Sequence, residues 1–339
     1  MSKDVCTEAV FGANPLSIEQ VVAIARKQAV IRLQDDEAFR ESIQKGARFL
    51  DTLLDREGVI YGVTTGYGDS CVVSIPLHQV EALPHQLFTF HGCGMGEHFS
   101  PAETRMILAA RLQSLCFGMS GVRYELLQRL TAFLQHDILP LIPQEGSVGA
   151  SGDLTPLSYV AATLTGQRDV LYQGQVTSAA DVHKQLGWEP LQLRPKEALA
   201  LMNGTAAMTG VACDVFVRAE YLLKLATRIT ALNMVAIEGN TGHFDETLFL
   251  AKPHAGQMQV AAWLREDLVG ISAPEFCLDG LHRLQDRYSL RCAPHVLGVL
   301  ADSLDWLRRF IETELNSAND NPIIDAEHER VLHGGHFYG

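Results

Sequence analysis

Ala150-Ser151-Gly152 lies in the loop Gly146-Ser-Val-Gly-Ala-Ser-Gly152 and has the composition that a backbone cyclisation needs. The Gly152 amide nitrogen can attack the Ala150 carbonyl only if no bulky side chain blocks it. Loss of water, including the Ser151 hydroxyl, then leaves a conjugated methylidene ring. The tripeptide is common on spacing alone, but here it stands directly before a helix start expected at Thr155-Pro156. Amide donors and the positive end of that helix would make such a ring more electron-poor. Three other glycine-bearing loops interrupt the chain: Tyr61-Gly-Val-Thr-Thr-Gly-Tyr-Gly68, His91-Gly-Cys-Gly-Met-Gly96 and Gly334-Gly-His-Phe-Tyr-Gly339. Any one of them alone reads as an ordinary connection that needs positive φ. Four together in one helical chain are harder to dismiss.

Rival chemistries find less support. Neither the dinucleotide pattern G-x-G-x-x-G after a strand nor G-x-x-x-x-G-K-[ST] occurs, so phosphate cradling is a weak reading. Asp153 beside Ser151 could suggest a hydrolase, but Gly149-Ala-Ser-Gly-Asp153 breaks the nucleophile elbow G-x-S-x-G at its last place. His91, Cys93 and His98 have ligand chemistry without a second pair at zinc-site spacing, which favours loop or packing roles.

The elements that must position these loops read mostly as helix. Ser17 to Gln34 opens with the capping box Ser17/Gln20, and Asp36 to Glu57 repeats an apolar face before stopping at Gly58. Ser100-Pro-Ala-Glu103 is a fuller start signal for a helix ending near Gly118. Further helices are expected over Val122 to Gln135, after Thr155-Pro156, from Lys196 to Glu238 with a break at Asn203-Gly204, and over Pro294 to Leu315. The Lys196 to Glu238 stretch is apolar almost all round, which predicts a helix buried in a bundle. Strand signals are short: Val59 to Thr64, Cys71 to Ile75, and Val170 to Thr177 around Gln173-Gly174. No repeat or linker is visible.

With 339 residues, 47% of them hydrophobic, the chain can bury a large core as two domains or one helical unit. A net charge of -13 argues against a nucleic-acid partner, because a phosphate backbone needs a concentrated positive surface. Seven cysteines without a CxxC pair fit reduced thiols, and the N-terminus has no secretory pattern, so a cytoplasmic setting is expected. Asp214, Arg218, Glu220 and Lys224 interrupt the most apolar segment, and no membrane span is expected.

Taken together, YGVTTGYG at Tyr61, GASGDLTPLS at Gly149, MNGT at Met202, QDRYSLRCAPH at Gln285, NDNP at Asn319 and GGHFYG at Gly334 resemble the histidine/phenylalanine/tyrosine ammonia-lyase family. These segments fall in family order over nearly the whole chain. The family carries a 4-methylideneimidazol-5-one (MIO) formed autocatalytically from Ala-Ser-Gly, so the resemblance implies an electrophile made from Ala150, Ser151 and Gly152 with no external cofactor and no metal. It implies Tyr61 as the base for the β-proton, a role that needs the phenolate of a group with an ordinary pKa of about 10. Asn203 would hydrogen-bond near the ring and the substrate. Arg291 would grip the substrate carboxylate, as a planar bidentate donor can. Tyr288 and Gln285 would complete the polar pocket, reaching the site of a neighbouring subunit, and Phe337 would lie near the ring.

The resemblance also implies an all-α fold: a large helical bundle with long central helices and short β-hairpins in the N-terminal part. It divides the chain into 1–195, carrying the MIO loop, and 196–339, the start of the central bundle. Family members continue past the GGxF segment into helices that supply a further glutamate, so a C-terminal part is expected to be missing here. The implied reaction is elimination of ammonia from an aromatic L-amino acid to a trans-α,β-unsaturated acid, in a homotetramer. Phe90-His91 combines a phenylalanine-lyase first place with a histidine-lyase second place, and Gly68-Asp69-Ser70-Cys71 departs from the Gly-Lys-Leu of histidine lyases. The substrate expectation is of tyrosine or phenylalanine type, with histidine open. A 2,3-aminomutase would use the same residues, and a non-catalytic helical fragment or scaffold is the alternative from another class.

Overall fold

The computed structural model describes residues 7–56, 58–271, 284–334 and 337–338. It is mainly helical, as expected, and forms two compact units: Met1–Cys213 with Ile311–Gly339, and Asp214–Phe310.

In the first unit, β1 (Thr7–Phe11) leads to α1 (Ile18–Ala25), and the predicted Ser17/Gln20 capping box is formed. The helix does not run on to Gln34. Lys27 takes a left-handed φ of 59°, and Ala29-Val-Ile-Arg-Leu33 leaves as β2 (Ala29–Leu33), parallel to β1, its side chains alternating between half-buried and exposed. α2 (Glu37–Asp55) covers most of the expected helix, with Asp36 as its N-cap, and Glu57 lies outside the described residues. Residues 59–64, expected as strand, fold into consecutive turns instead. Two threonines cause this: Thr64 Oγ1 accepts the Ile60 N–H and donates to the Gly58 carbonyl, and Thr65 Oγ1 accepts the Gly62 N–H. Gly68–Val72 is a 3₁₀ turn, and the Cys71 to Ile75 strand shrinks to one bridge between Thr65 and Ser74.

After α3 (Leu77–Val80) come α4 (Leu83–His91) and β3 (Met95–His98). Next is α5 (Pro101–Leu115), with the Ser100/Glu103 capping box and Pro101 at its first position, followed by α6 (Tyr124–His136), β4 (Leu139–Pro140) and β5 (Pro143–Glu145). α7 (Leu154–Leu164) starts one residue ahead of Thr155. Pro156 falls in its first turn, where no intrahelical N–H is required. The predicted hairpin over Val170 to Thr177 is β6 (Asp169–Tyr172) and β7 (Gln175–Ser178), turning at Gln173-Gly174. α8 (Ala179–Leu186) and α9 (Glu197–Met202) follow.

The core of this unit is α5 from Thr104 onward, α7 and α9, nearly every residue of which is buried. α10 (Ala206–Ala236) runs from this unit into the second, which also contains α11 (Glu246–Leu250), α12 (Ala255–Asp267), α13 (Tyr288–Arg291) and most of α14 (Ala293–Leu315). The hairpin β8 (Ile323–Asp325) and β9 (Arg330–Leu332) belongs to the first unit.

The helix break at Asn203-Gly204 is present, but burial all round is not maintained along Lys196 to Glu238. α9 is buried, whereas Tyr221, Leu222, Leu225, Ile229 and Leu232 of α10 are exposed. The stretch Glu197–Ala236 is long and apolar enough by composition to cross a bilayer, yet 67% of its most apolar window is buried within the protein, as in a core helix.

Candidate active site

The Ala150-Ser151-Gly152 loop rests on the break between α9 and α10. Gly152 (φ +94°) meets Gly204 (φ +144°) so closely that a Cβ on Gly152 would stand 2.3 Å from the Gly204 nitrogen. The Asp153 N–H donates to the Gly204 carbonyl at 2.6 Å. A Cβ on Gly204 would in turn lie 2.5 Å from Nη1 of Arg111. Only glycine fits either position, which leaves the Gly152 nitrogen unshielded by side chains, as the cyclisation requires. These residues therefore fit the prosthetic ring that the tripeptide implies.

Arg111 is the support beneath that contact. It is fully buried on α5, donating to the Asn203 carbonyl (2.9 Å), the Asn319 carbonyl (2.8 Å) and Ser114 Oγ (3.0 Å). Burial pushes its pKa down to about 10, still charged at neutral pH, with the Asp320 and Asp153 carboxylates opposing the shift. Lys196 and Asp320 form an ion pair with both side chains 0% exposed. Asn203 Nδ2 donates to the Asn321 carbonyl at 2.9 Å, which turns Oδ1 toward the Ser151 hydroxyl at 3.4 Å. The segment 319–321 thus forms the floor of the site.

Asp153 follows the tripeptide and is buried. Its Oδ1 accepts from Tyr338 Oη (2.5 Å) and Ser147 Oγ (3.1 Å), and its Oδ2 from the Met208 N–H (2.8 Å). Burial, reinforced by this carboxylate, holds the Tyr338 phenol above its ordinary pKa and therefore protonated. The first turn of α7 begins at once after Asp153, with the positive end of the helix toward the loop.

A cavity of about 600 Å³, the size of a small-ligand site, opens in front of the loop. Tyr61, Phe90, His91, Ala150, Ser151 and Asn203 all line it. Tyr61 comes from the threonine-stitched turn, and its phenolic oxygen accepts the Gly68 N–H at 2.8 Å. Phe90 and His91 come from α4, where Leu83, Leu87 and His91, one helical turn apart, share a face. Apolar walls are added by Ile75, Leu154 and Leu199. Burial lowers the His91 pKa, so its imidazole is neutral at pH 7, and burial with the nearby Tyr61 raises that of Tyr67, which stays a neutral phenol. A second cavity of about 680 Å³, lined in part by Glu81, Arg123 and Glu189, contains none of the groups singled out in the sequence.

Gln285, Tyr288 and Arg291 lie in the other unit. The buried Asp286 carboxylate accepts the Asn240 N–H at 2.8 Å, and its carbonyl accepts Nε of Arg291 at 2.9 Å. The Arg291 guanidinium stacks 4.2 Å over the Tyr288 ring, and Tyr288 and Gln285 are exposed. Phe337 is half-buried and does not line the cavity; its neighbour Tyr338 makes the Asp153 contact. Gly335, His336 and Gly339 of that motif lie outside the described residues.

Sequence reasoning missed Arg111, Tyr67 and Tyr338, and treated Asp153 only as a hydrolase decoy. One signal was available: Arg111 interrupts the apolar run Met106 to Leu112, and a charge inside such a run must find buried partners.

A family described as aromatic amino acid lyase matches residues 16–339. Over 97% of its length the chain is 38% identical to a tyrosine 2,3-aminomutase of Chondromyces crocatus, covering 65% of that protein. Over 96% it is 40% identical to a histidine ammonia-lyase of Deinococcus radiodurans, covering 62%. Among solved structures, a tyrosine aminomutase of Streptomyces globisporus matches 98% of the chain at a TM-score of 0.89 and 35% identity, with 66% of that chain covered. The chain thus spans less than two-thirds of the length of the curated relatives it matches.

Proposed function

The chain belongs to the aromatic amino acid lyase family, and from that premise we propose that it eliminates ammonia from an aromatic L-amino acid of tyrosine or phenylalanine type, with histidine as a further candidate, to give a trans-α,β-unsaturated acid. One arrangement carries this reading: Tyr61, the Ala150-Ser151 loop and Asn203 line one cavity together with Phe90 and His91. The MIO ring formed from Ala150, Ser151 and Gly152 supplies an electrophile that turns the substrate amine into a better leaving group.

The chain's own residues do the rest. Tyr61 takes the β-proton; the Cβ–H and Cα–N bonds break, a C=C bond forms and nitrogen departs with its electron pair. The Gly68 N–H donates to the Tyr61 oxygen and holds it in place at the cavity. Asn203, locked by Asn321 and by Arg111 at its carbonyl, holds its amide oxygen toward Ser151. The leucine-lined wall seats an aromatic ring and excludes water. Arg291 binds the substrate carboxylate, with Tyr288 and Gln285 beside it, from a neighbouring copy in a homotetramer. The half-buried Arg291 guanidinium stacked over the exposed Tyr288 ring, and the exposed apolar face of α10, support that part of the reading. A cytoplasmic setting is supported by Cys71, Cys93, Cys116 and Cys292, which are thiols and not disulfides among the described residues.

The second reading is a 2,3-aminomutase, favoured by the similarity to two tyrosine aminomutases. Intact mass and product analysis test both. A mass lower by two waters is expected from ring closure, followed by an unsaturated acid from tyrosine, phenylalanine or histidine. A β-amino acid would mean the mutase, and an unmodified mass with no product from any of the three would sink both.

A further inference from the structure

The wall that carries Phe90 and His91 is held from outside the cavity. α4 ends at His91, and the chain leaves through Gly92-Cys93-Gly94, an exit whose glycines impose little conformation of their own. Arg168, at a left-handed φ of 64° in the turn between α7 and β6, donates Nη2 to the Gly92 carbonyl at 2.8 Å. Gly92 passes so close that a Cβ there would stand 1.8 Å from Nη2. The guanidinium stacks 4.2 Å over the Tyr159 ring, and Tyr159 Oη accepts the Gly94 N–H at 3.1 Å. A cation at the C-terminal end of a helix is electrostatically favoured, and a planar guanidinium can stack and donate at once, which an ammonium cannot. Neither Arg168 nor Tyr159 lines the cavity.

We propose that Arg168 and Tyr159 are positioning residues for substrate selection: they brace the exit of α4 and so fix Phe90 and His91 where phenol, phenyl and imidazole rings are told apart. The inference rests on the lyase reading of the cavity. It requires that the brace act through the loop, because a displacement of an ångström at a recognition group is enough to change discrimination.

The test is calorimetric binding of p-hydroxycinnamate, cinnamate and urocanate to the whole chain, as wild type, Arg168→Met, Arg168→Lys, Tyr159→Phe and the Met/Phe double variant. Arg168→Met is expected to compress the spread of the three dissociation constants by about tenfold. Arg168→Lys should restore part of that spread, and Tyr159→Phe should compress it less. The double variant should add little to Arg168→Met, since residues acting through one contact are not additive. The proposal is overturned if the variants leave the three constants unchanged or weaken all three by one common factor. Should Arg168→Met not fold, the lysine and phenylalanine variants decide by the same criterion. A wild type that binds none of the acids would bring down the lyase reading and the brace together, whereas a discriminating wild type with equally discriminating variants would bring down the brace alone.

Discussion

Tyr61 reaches the cavity from a turn stitched by threonines, whereas Ser151 rests on Asn203, so the two can be altered independently. Tyr61→Phe should keep the mass loss of ring closure and lower kcat by a factor of about 10² to 10⁴, the usual contribution of a positioned base; kinetics and intact mass on one sample check both halves. Gly152→Ala should do the reverse. Its methyl group would lie 2.3 Å from the Gly204 nitrogen, so the loop must lift and the intact mass should retain both waters. Finding a matured ring in that variant would mean that the contact with Gly204 is dispensable. The Gly-Ala-Ser-Gly-Asp signal was legible because the chemistry demands those residue types. The seat beneath it was not, because Gly204 and Arg111 become neighbours only through the fold.

At the scale of elements, capping boxes and helix breaks were readable from local spacing, since the hydrogen bonds involved span three or four residues. The turns over 59–64 were misread as strand because their β-branched residues fit a pleated surface, while the side-chain oxygens of Thr64 and Thr65 satisfy the backbone locally. Two predictions belong here. α8 packs His183, 1% exposed, against Phe133 of α6 and Trp188, and neither ring nitrogen has a hydrogen-bond partner among the described residues. Burial, with Arg129 nearby, lowers its pKa to about 4. The unfolded chain takes up this proton below about pH 6.5 and the folded chain only near 4, so stability is lost as pH falls through that window. The melting temperature of His183→Leu should therefore fall less between pH 7 and 4.5 than that of the wild type. Asp320→Asn strands the Lys196 ammonium at the start of α9, fully buried, and should cost about 3–5 kcal/mol in denaturant unfolding; a loss below 1 kcal/mol would mean that Lys196 folds neutral.

At the scale of the whole molecule, Leu222, Leu225, Ile229 and Leu232 are exposed at alternating spacings of three and four along α10, the pattern of a helix seam awaiting another helix. Leu225→Glu with Leu232→Glu should shift the chain to smaller species in light scattering while leaving intact mass unchanged. An unaltered molar mass would show that this face is not where copies meet. Composition had pointed to burial all round because hydropathy counts apolar residues without saying what covers them. Arg111 has a consequence of another kind. Its guanidinium joins the Asn203 carbonyl to that of Asn319, 208 residues further along the chain than Arg111 itself. During synthesis the Ala150-Ser151-Gly152 loop emerges long before its floor does, and at roughly 5–20 residues per second it waits on the order of ten seconds. On the lyase reading, ring closure is therefore expected only after Asn319 has been made, among the last events of maturation.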